Sequence, residues 1–196
     1  GGFMIAQAMQ RWELHRRIAL GIIVRTGTGP RRLVAGFMVA AGFLSMWVSN
    51  TAVAVMMLPI GISVIQVLQG EAGGPPGDGE EEGFATALLL GIAYGASIGG
   101  VATLIGTPPN ALLAAFLASE HGIQIGFAQW MLVGLPLTVV LMPIAWLVLT
   151  RVAFRVSGRA TGTPGAVLGE LRDRLGAVTR PERRVAEHAA GADLGD

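Results

Sequence analysis

The stretch Ser97-Ile98-Gly99-Gly100-Val101-Ala102-Thr103-Leu104-Ile105-Gly106-Thr107-Pro108-Pro109-Asn110 lies inside an apolar run, residues 83–119, that carries no charge. The run is long enough to cross a bilayer. Glycine and proline at this density should unwind a helix at mid-membrane. The expectation is two half-helices, roughly 84–98 and 108–119, joined by irregular backbone. Gly99, Gly100 and Gly106 permit unusual backbone angles and close approach to an ion or ligand. Pro108 suits the first turn of a new helix. That helix would direct N–H groups and a positive dipole end at whatever precedes it. Helix packing is the alternative use of Gly99-Gly100. A phosphate-binding loop fits less well, because the lysine is missing and apolar runs flank the segment.

A second interruption lies upstream, in the uncharged residues 33–70. These are too many for one span, and each half is short for a span of its own. Ser49-Asn50-Thr51 sits in the middle. Two short spans fit, and so does a re-entrant helical hairpin with Asn50 near its tip; the hairpin is favoured. Non-helical backbone at that depth is tolerated only inside protein or beside a water-filled cavity. On one continuous helix, Ser45 and Ser49 would stack on a single face. Their hydroxyls, the Asn50 carbonyl and backbone carbonyls freed at a helix end could hold a hard cation, which prefers oxygen ligands. The plainer alternative is that these hydroxyls bond to their own backbone or to a neighbouring helix. Two interrupted segments in one short chain point to a secondary-transporter site.

Composition agrees. Of 196 residues only 14 % are charged, against about 25 % in an ordinary soluble domain, and mean hydropathy is +0.59. A soluble enzyme is therefore excluded, and a net charge of +1 offers nucleic acid no surface. There is no cysteine, which removes disulfides and thiolate catalysis. No nucleophile–base pair or metal cluster lies in the apolar runs, so the chain is not expected to be an enzyme. Residues 33–70 and 83–119 also lack Asp, Glu, His, Lys and Arg. Proton-coupled carriers usually place such a residue in the membrane, so coupling to a metal cation through neutral oxygens is the better reading.

The expected organisation is all-α and integral to the membrane. Residues 1–32 end one membrane helix and add an amphipathic surface helix; a solvated linker over 11–25 is the alternative. The re-entrant hairpin spans 33–70, an acidic Gly/Pro loop 71–83, and a broken transmembrane helix 84–120. A transmembrane helix follows at 122–155, with Pro136 and Pro143 as possible kinks, then a polar cytosolic connector at 156–196. All 14 basic residues are arginines, six before residue 33 and eight after residue 150. The positive-inside tendency therefore puts both ends of the segment in the cytoplasm. Gly1–Gln10 reads as the tail of a span whose start is missing, so the chain is expected to be a fragment. His15, His121 and His188 read as surface residues, and Trp47 and Trp130 as core or interface packing.

The S-N-T at 49–51 and the A-S-I-G-G-V-A-T-L-I-G-T-P-P-N at 96–110 resemble the divalent anion:sodium symporter family. The opening GGFMIAQAMQRWELHRRIAL resembles that family's third membrane helix and the surface helix after it. The resemblance covers about residues 1–155 and implies the first of two inverted repeats of an elevator-type secondary transporter. It implies a sodium site from Ser45, Ser49, Asn50, Gly106 and Asn110, the last two through backbone oxygens and support of the loop. It implies substrate contacts from Asn50, Thr51, Thr107 and Pro108, and a dicarboxylate, citrate or related divalent anion as substrate. Sodium is the implied coupling ion and the plasma (inner) membrane the implied location, with a homodimer formed through scaffold helices outside this chain. A second S-N-T is absent, so this repeat could hold one cation site but not close the substrate site alone. The alternatives are a sodium-independent exchanger, a sulfate- or arsenite-type permease, and a non-transporting fragment.

Overall fold

The computed structural model describes residue 21, residues 29–70, residues 80–154 and residue 156. The span tail expected over 1–10, the surface helix expected over 11–25 apart from residue 21, most of the acidic loop, and the connector after 156 lie outside the described residues, as do His15 and His188. Five α-helices make up the rest: α1 Pro30–Ser45, α2 Asn50–Gly70, α3 Glu80–Val101, α4 Pro108–His121 and α5 Phe127–Leu147. A π-helical turn, Val148–Ala153, continues α5. There is no strand among the described residues.

The helix ends follow from local chemistry. Pro30 sits at the start of α1 and Pro108 at the start of α4, where a missing N–H costs nothing. Thr107, which precedes Pro108, is extended at φ −145° and ψ 144°, as the proline ring demands of its neighbour. Gly122 ends α4 in the left-handed region at φ 66°, with its N–H on the Leu117 carbonyl. The helix at α3 begins at Glu80, three residues before the expected close of the acidic loop.

The central packing is α1 along α3. A Cβ placed on Gly95 would lie 2.6 Å from the Met38 carbonyl oxygen, and one on Gly91 would meet Met38 and Val34 at 3.1 and 3.2 Å. One on Gly99 would overlap the Gly42 backbone. Gly91, Gly95 and Gly99 are four apart and share one face of α3, opposite Val34, Met38 and Gly42 on α1. Partners keep a constant offset: Met38 to Gly95 and Gly42 to Gly99 are each 57 residues apart. The two helices therefore run parallel and in register, backbone against backbone. Small-residue stripes of this kind give helices close approach where lipid supplies no hydrophobic drive. The glycines serve proximity rather than unusual angles, for Gly122 is the only positive-φ glycine among the described residues.

Met57, Ile60, Leu88 and Ile92 complete the core from α2 and α3 around Phe37 and Leu44. A different face closes on α5. Trp130, Gly134, Thr138, Met142 and Trp146 recur every four residues, and all five meet α1 or α3. The rest of α5 is open, with Leu132 76 % and Val133 72 % exposed. Residues 83–101 and 127–153 are long and apolar enough to cross a membrane. At the far end, Trp146 Nε1 donates to the Arg31 carbonyl at 2.9 Å and Arg31 Nε donates to the Val156 carbonyl at 2.6 Å.

The α1–α3 contact yields a direct test. Gly99→Ala forces a methyl group into the Gly42 backbone, and overpacking of this kind costs about 1–3 kcal/mol. Gly126→Ala meets only Gln129 Oε1, at an ordinary 3.7 Å. Thermal unfolding in detergent, followed by tryptophan fluorescence, should show a clear loss for Gly99→Ala and almost none for Gly126→Ala.

Candidate functional site

Because α1 and α3 are parallel, their carboxyl ends lie together. The chain then leaves helix twice, at Met46–Ser49 and at Ala102–Thr107. Ending a helix strands its last four carbonyls. At α3 each one finds a partner. Thr138 Oγ1 donates to the Ile98 carbonyl at 3.1 Å, and the Ala102 N–H to the Gly99 carbonyl at 3.0 Å. Asn110 Nδ2 donates to the Gly100 carbonyl at 2.9 Å, and Trp130 Nε1 to the Val101 carbonyl at 2.9 Å. Asn110 Nδ2 also donates to the Thr103 carbonyl at 2.8 Å, so its two hydrogens span the interruption. Among the described residues no buried side-chain nitrogen or oxygen lacks a partner.

The two interruptions are also joined to each other. Thr103, fully buried, donates its hydroxyl to the Met46 carbonyl at 2.6 Å. Ser45, also fully buried, donates to Asn50 Oδ1. The Asn50 amide lies over Gly100, where any Cβ would displace it, and Gly106 is pressed on the Gly100 carbonyl in the same way. Ser45, Asn50, Gly100, Gly106 and Asn110 thus form one continuous cluster of neutral oxygens and amides. The carboxyl ends of α1 and α3 bring partial negative charge to it, and the amino ends of α2 and α4 bring partial positive charge.

Not every predicted residue keeps its expected role. Ser45 and Ser49 do not share a helix face, because α1 stops at Ser45. Ser49 instead caps α2: its hydroxyl accepts from the Ala52 N–H at 3.4 Å and its carbonyl from Val53 N–H at 3.0 Å. The Asn50 and Thr51 N–H groups are the first-turn donors left over, pointing away from their own helix. The start of α4 offers fewer donors than its dipole implies. Pro108 and Pro109 have no N–H, and the Asn110 N–H is spent on the Thr107 carbonyl at 3.1 Å. Ser49, Thr51 and Pro108 are exposed, Asn50 and Thr107 are half-buried, and Gly106 and Asn110 are buried.

Three contributors were not singled out by sequence reasoning: Thr103, Thr138, and Trp130 as a hydrogen-bond donor. The available signal was that every carbonyl freed by a helix stop in apolar surroundings needs a donor. Trp47 packs on the core and faces Phe127 with ring centroids 6.5 Å apart. His121 is exposed beside Phe116. Among the described residues no three or more acidic or histidine side chains converge on a point.

Comparison with known proteins sets this geometry in context. A family model described as "Citrate transporter" matches residues 1–188. The sodium-dependent dicarboxylate transporter SdcS of Staphylococcus aureus strain USA300 is 41 % identical over 185 residues, covering 94 % of this chain and 36 % of its own length. The proteins of the same name from strains NCTC 8325 and COL give the same identity and coverage. The chain therefore spans about a third of the length of these relatives, which are transporters rather than enzymes.

The brace across the interruption is open to test. Asn110→Ala leaves the Gly100 and Thr103 carbonyls buried without their donors, at about 1–3 kcal/mol for each. Hydrogen exchange in detergent should quicken at the Ala102 and Gly106 N–H groups while those in the middle of α1 keep their protection.

Proposed function

The chain belongs to the citrate transporter family, akin to the divalent anion:sodium symporters, and we propose from that premise that it forms part of a sodium-coupled carrier for di- or tricarboxylates. The observation that carries this reading is the meeting of two helix interruptions at Asn50. Its amide oxygen accepts from Ser45 and its side chain lies on Gly100. Neutral oxygens concentrated where two helix carboxyl ends converge suit a hard monovalent cation. Ser45, Asn50 and backbone oxygens at Gly106 are the proposed sodium ligands. Asn110 holds the loop that carries them, and Ser49 sets the direction of α2.

The anion side of the site is read from α2. The Asn50 and Thr51 N–H groups open on the exposed side of the cluster, where a carboxylate gains both hydrogen bonds and the positive dipole end. Thr107 and Pro108 form the opposite wall. Since α1 has 16 residues, it extends about 24 Å at 1.5 Å per residue, short of the roughly 30 Å hydrocarbon core. That supports a hairpin that enters the membrane and returns. An elevator-like displacement of this bundle against a dimeric scaffold, in the plasma (inner) membrane with both ends of the segment cytoplasmic, completes the reading.

The test is uptake of radiolabelled succinate into proteoliposomes holding the intact protein, with and without an inward sodium gradient. Wild type should accumulate succinate only with sodium, and citrate should compete. Asn50→Ala should retain insertion and fall below a tenth of wild-type uptake, equivalent to about 1.4 kcal/mol or more. Wild-type levels of uptake in Asn50→Ala, or uptake indifferent to sodium, overturns the assignment.

A further inference from the structure

We infer that Thr103 is a positioning residue for cation binding: its hydroxyl fixes the distance between the two interruptions whose oxygens make up the site. The inference rests on the carrier reading given above and adds a residue that touches neither ion nor substrate.

Three observations carry it. First, Thr103 is fully buried and its hydroxyl is committed to the Met46 carbonyl at 2.6 Å. Second, that pair repeats the offset of 57 residues that relates Gly99 to Gly42 and Gly95 to Met38. The hydroxyl therefore continues the α1–α3 register one step past the point where close glycine packing ends. It is also the one hydrogen bond among the described residues that runs from the second interruption to the backbone of the first. Third, the Thr103 carbonyl is held by Asn110. A single residue thus ties the α1–α2 turn by its side chain and the start of α4 by its backbone.

The physical consequence concerns geometry. Ser45 and Asn50 move with the α1–α2 turn, and Gly106 moves with the segment after α3. A site of neutral ligands has no strong charge to tolerate misplacement, so its affinity depends on holding donors within about 0.5 Å of their productive places. Without the Thr103 hydroxyl the turn can shift against the second interruption, and the half-buried Met46 carbonyl loses the donor that holds it.

The experiment compares Thr103→Val, which keeps the shape and removes the donor, with Thr103→Ser, which keeps the donor. Sodium dependence is read twice on the intact protein: as the sodium concentration for half-maximal succinate uptake, and as that for half-maximal thermal stabilisation of purified protein. Thr103→Val should raise both by about tenfold, the order expected for losing a hydrogen bond from a buried hydroxyl. Thr103→Ser should stay within about twofold of wild type, on the same grounds. Should Thr103→Val fail to insert, Thr103→Cys carries the comparison, its weak thiol donor giving a rise of about threefold. A Thr103→Val variant, or Thr103→Cys in its place, that loses maximal rate or membrane yield yet keeps the wild-type sodium half-saturation in both readouts overturns the inference and leaves the carrier reading intact. A wild-type protein with no sodium dependence in either readout overturns the carrier reading, and the inference with it.

Discussion

A helix that stops among apolar surroundings must still satisfy its last carbonyls, and this requirement organises the molecule. At the end of α3 the carbonyls of Ile98, Gly100 and Val101 are met within the protein. Each is met by a side chain from a later helix: Thr138 and Trp130 from α5, Asn110 from α4. The interruption is therefore not a defect bridged by a loop. It is the point to which α4 and α5 are tied, and their positions follow from the donors that it needs.

Parallel packing of α1 and α3 adds the second element. Gly42, Gly95 and Gly99 let the two backbones touch, and the constant register carries both helices to a stop at the same level. Antiparallel packing would have put the carboxyl end of one against the amino end of the other and cancelled their dipoles. Here two carboxyl ends coincide, and two amino ends start anew from the same place. The opposite end of the bundle is closed by Arg31, whose carbonyl accepts from Trp146 and whose side chain reaches the Val156 carbonyl.

Much of this was legible in the residues. Uncharged runs and the Gly/Pro cluster at 99–109 mark where apolar helix is interrupted, and ring geometry at Pro108 starts the next helix locally; Gly99 and Gly100, expected to unwind the helix, stay helical, and α3 ends after Val101. Partner choice was not legible. Whether Ser49 faces Ser45 or caps α2 depends on where α1 ends, and nothing in residues 45–49 dictates a stop at Ser45. Likewise the use of Gly99 is set by Gly42, 57 residues away, so its spacing alone could not separate close packing from unusual backbone angles. Trp130 and Thr138 sit in an ordinary apolar span, and only the folded arrangement shows that they complete another helix.

On the carrier reading, the neutrality of the site has a consequence for coupling. Residues 33–70 and 83–119 contain no Asp, Glu, His, Lys or Arg, and helix ends contribute only about half a charge each. A lone cation in this cluster lacks a full countercharge, and so does a lone carboxylate. Each is the other's missing partner, so binding of one must strengthen binding of the other, and by linkage the two effects are equal in size. A buried carboxylate ligand would have held the cation alone and weakened that dependence. Neutral ligands held at fixed distances therefore favour joint occupancy, and the side chains that fix those distances shape the coupling although they touch neither ion.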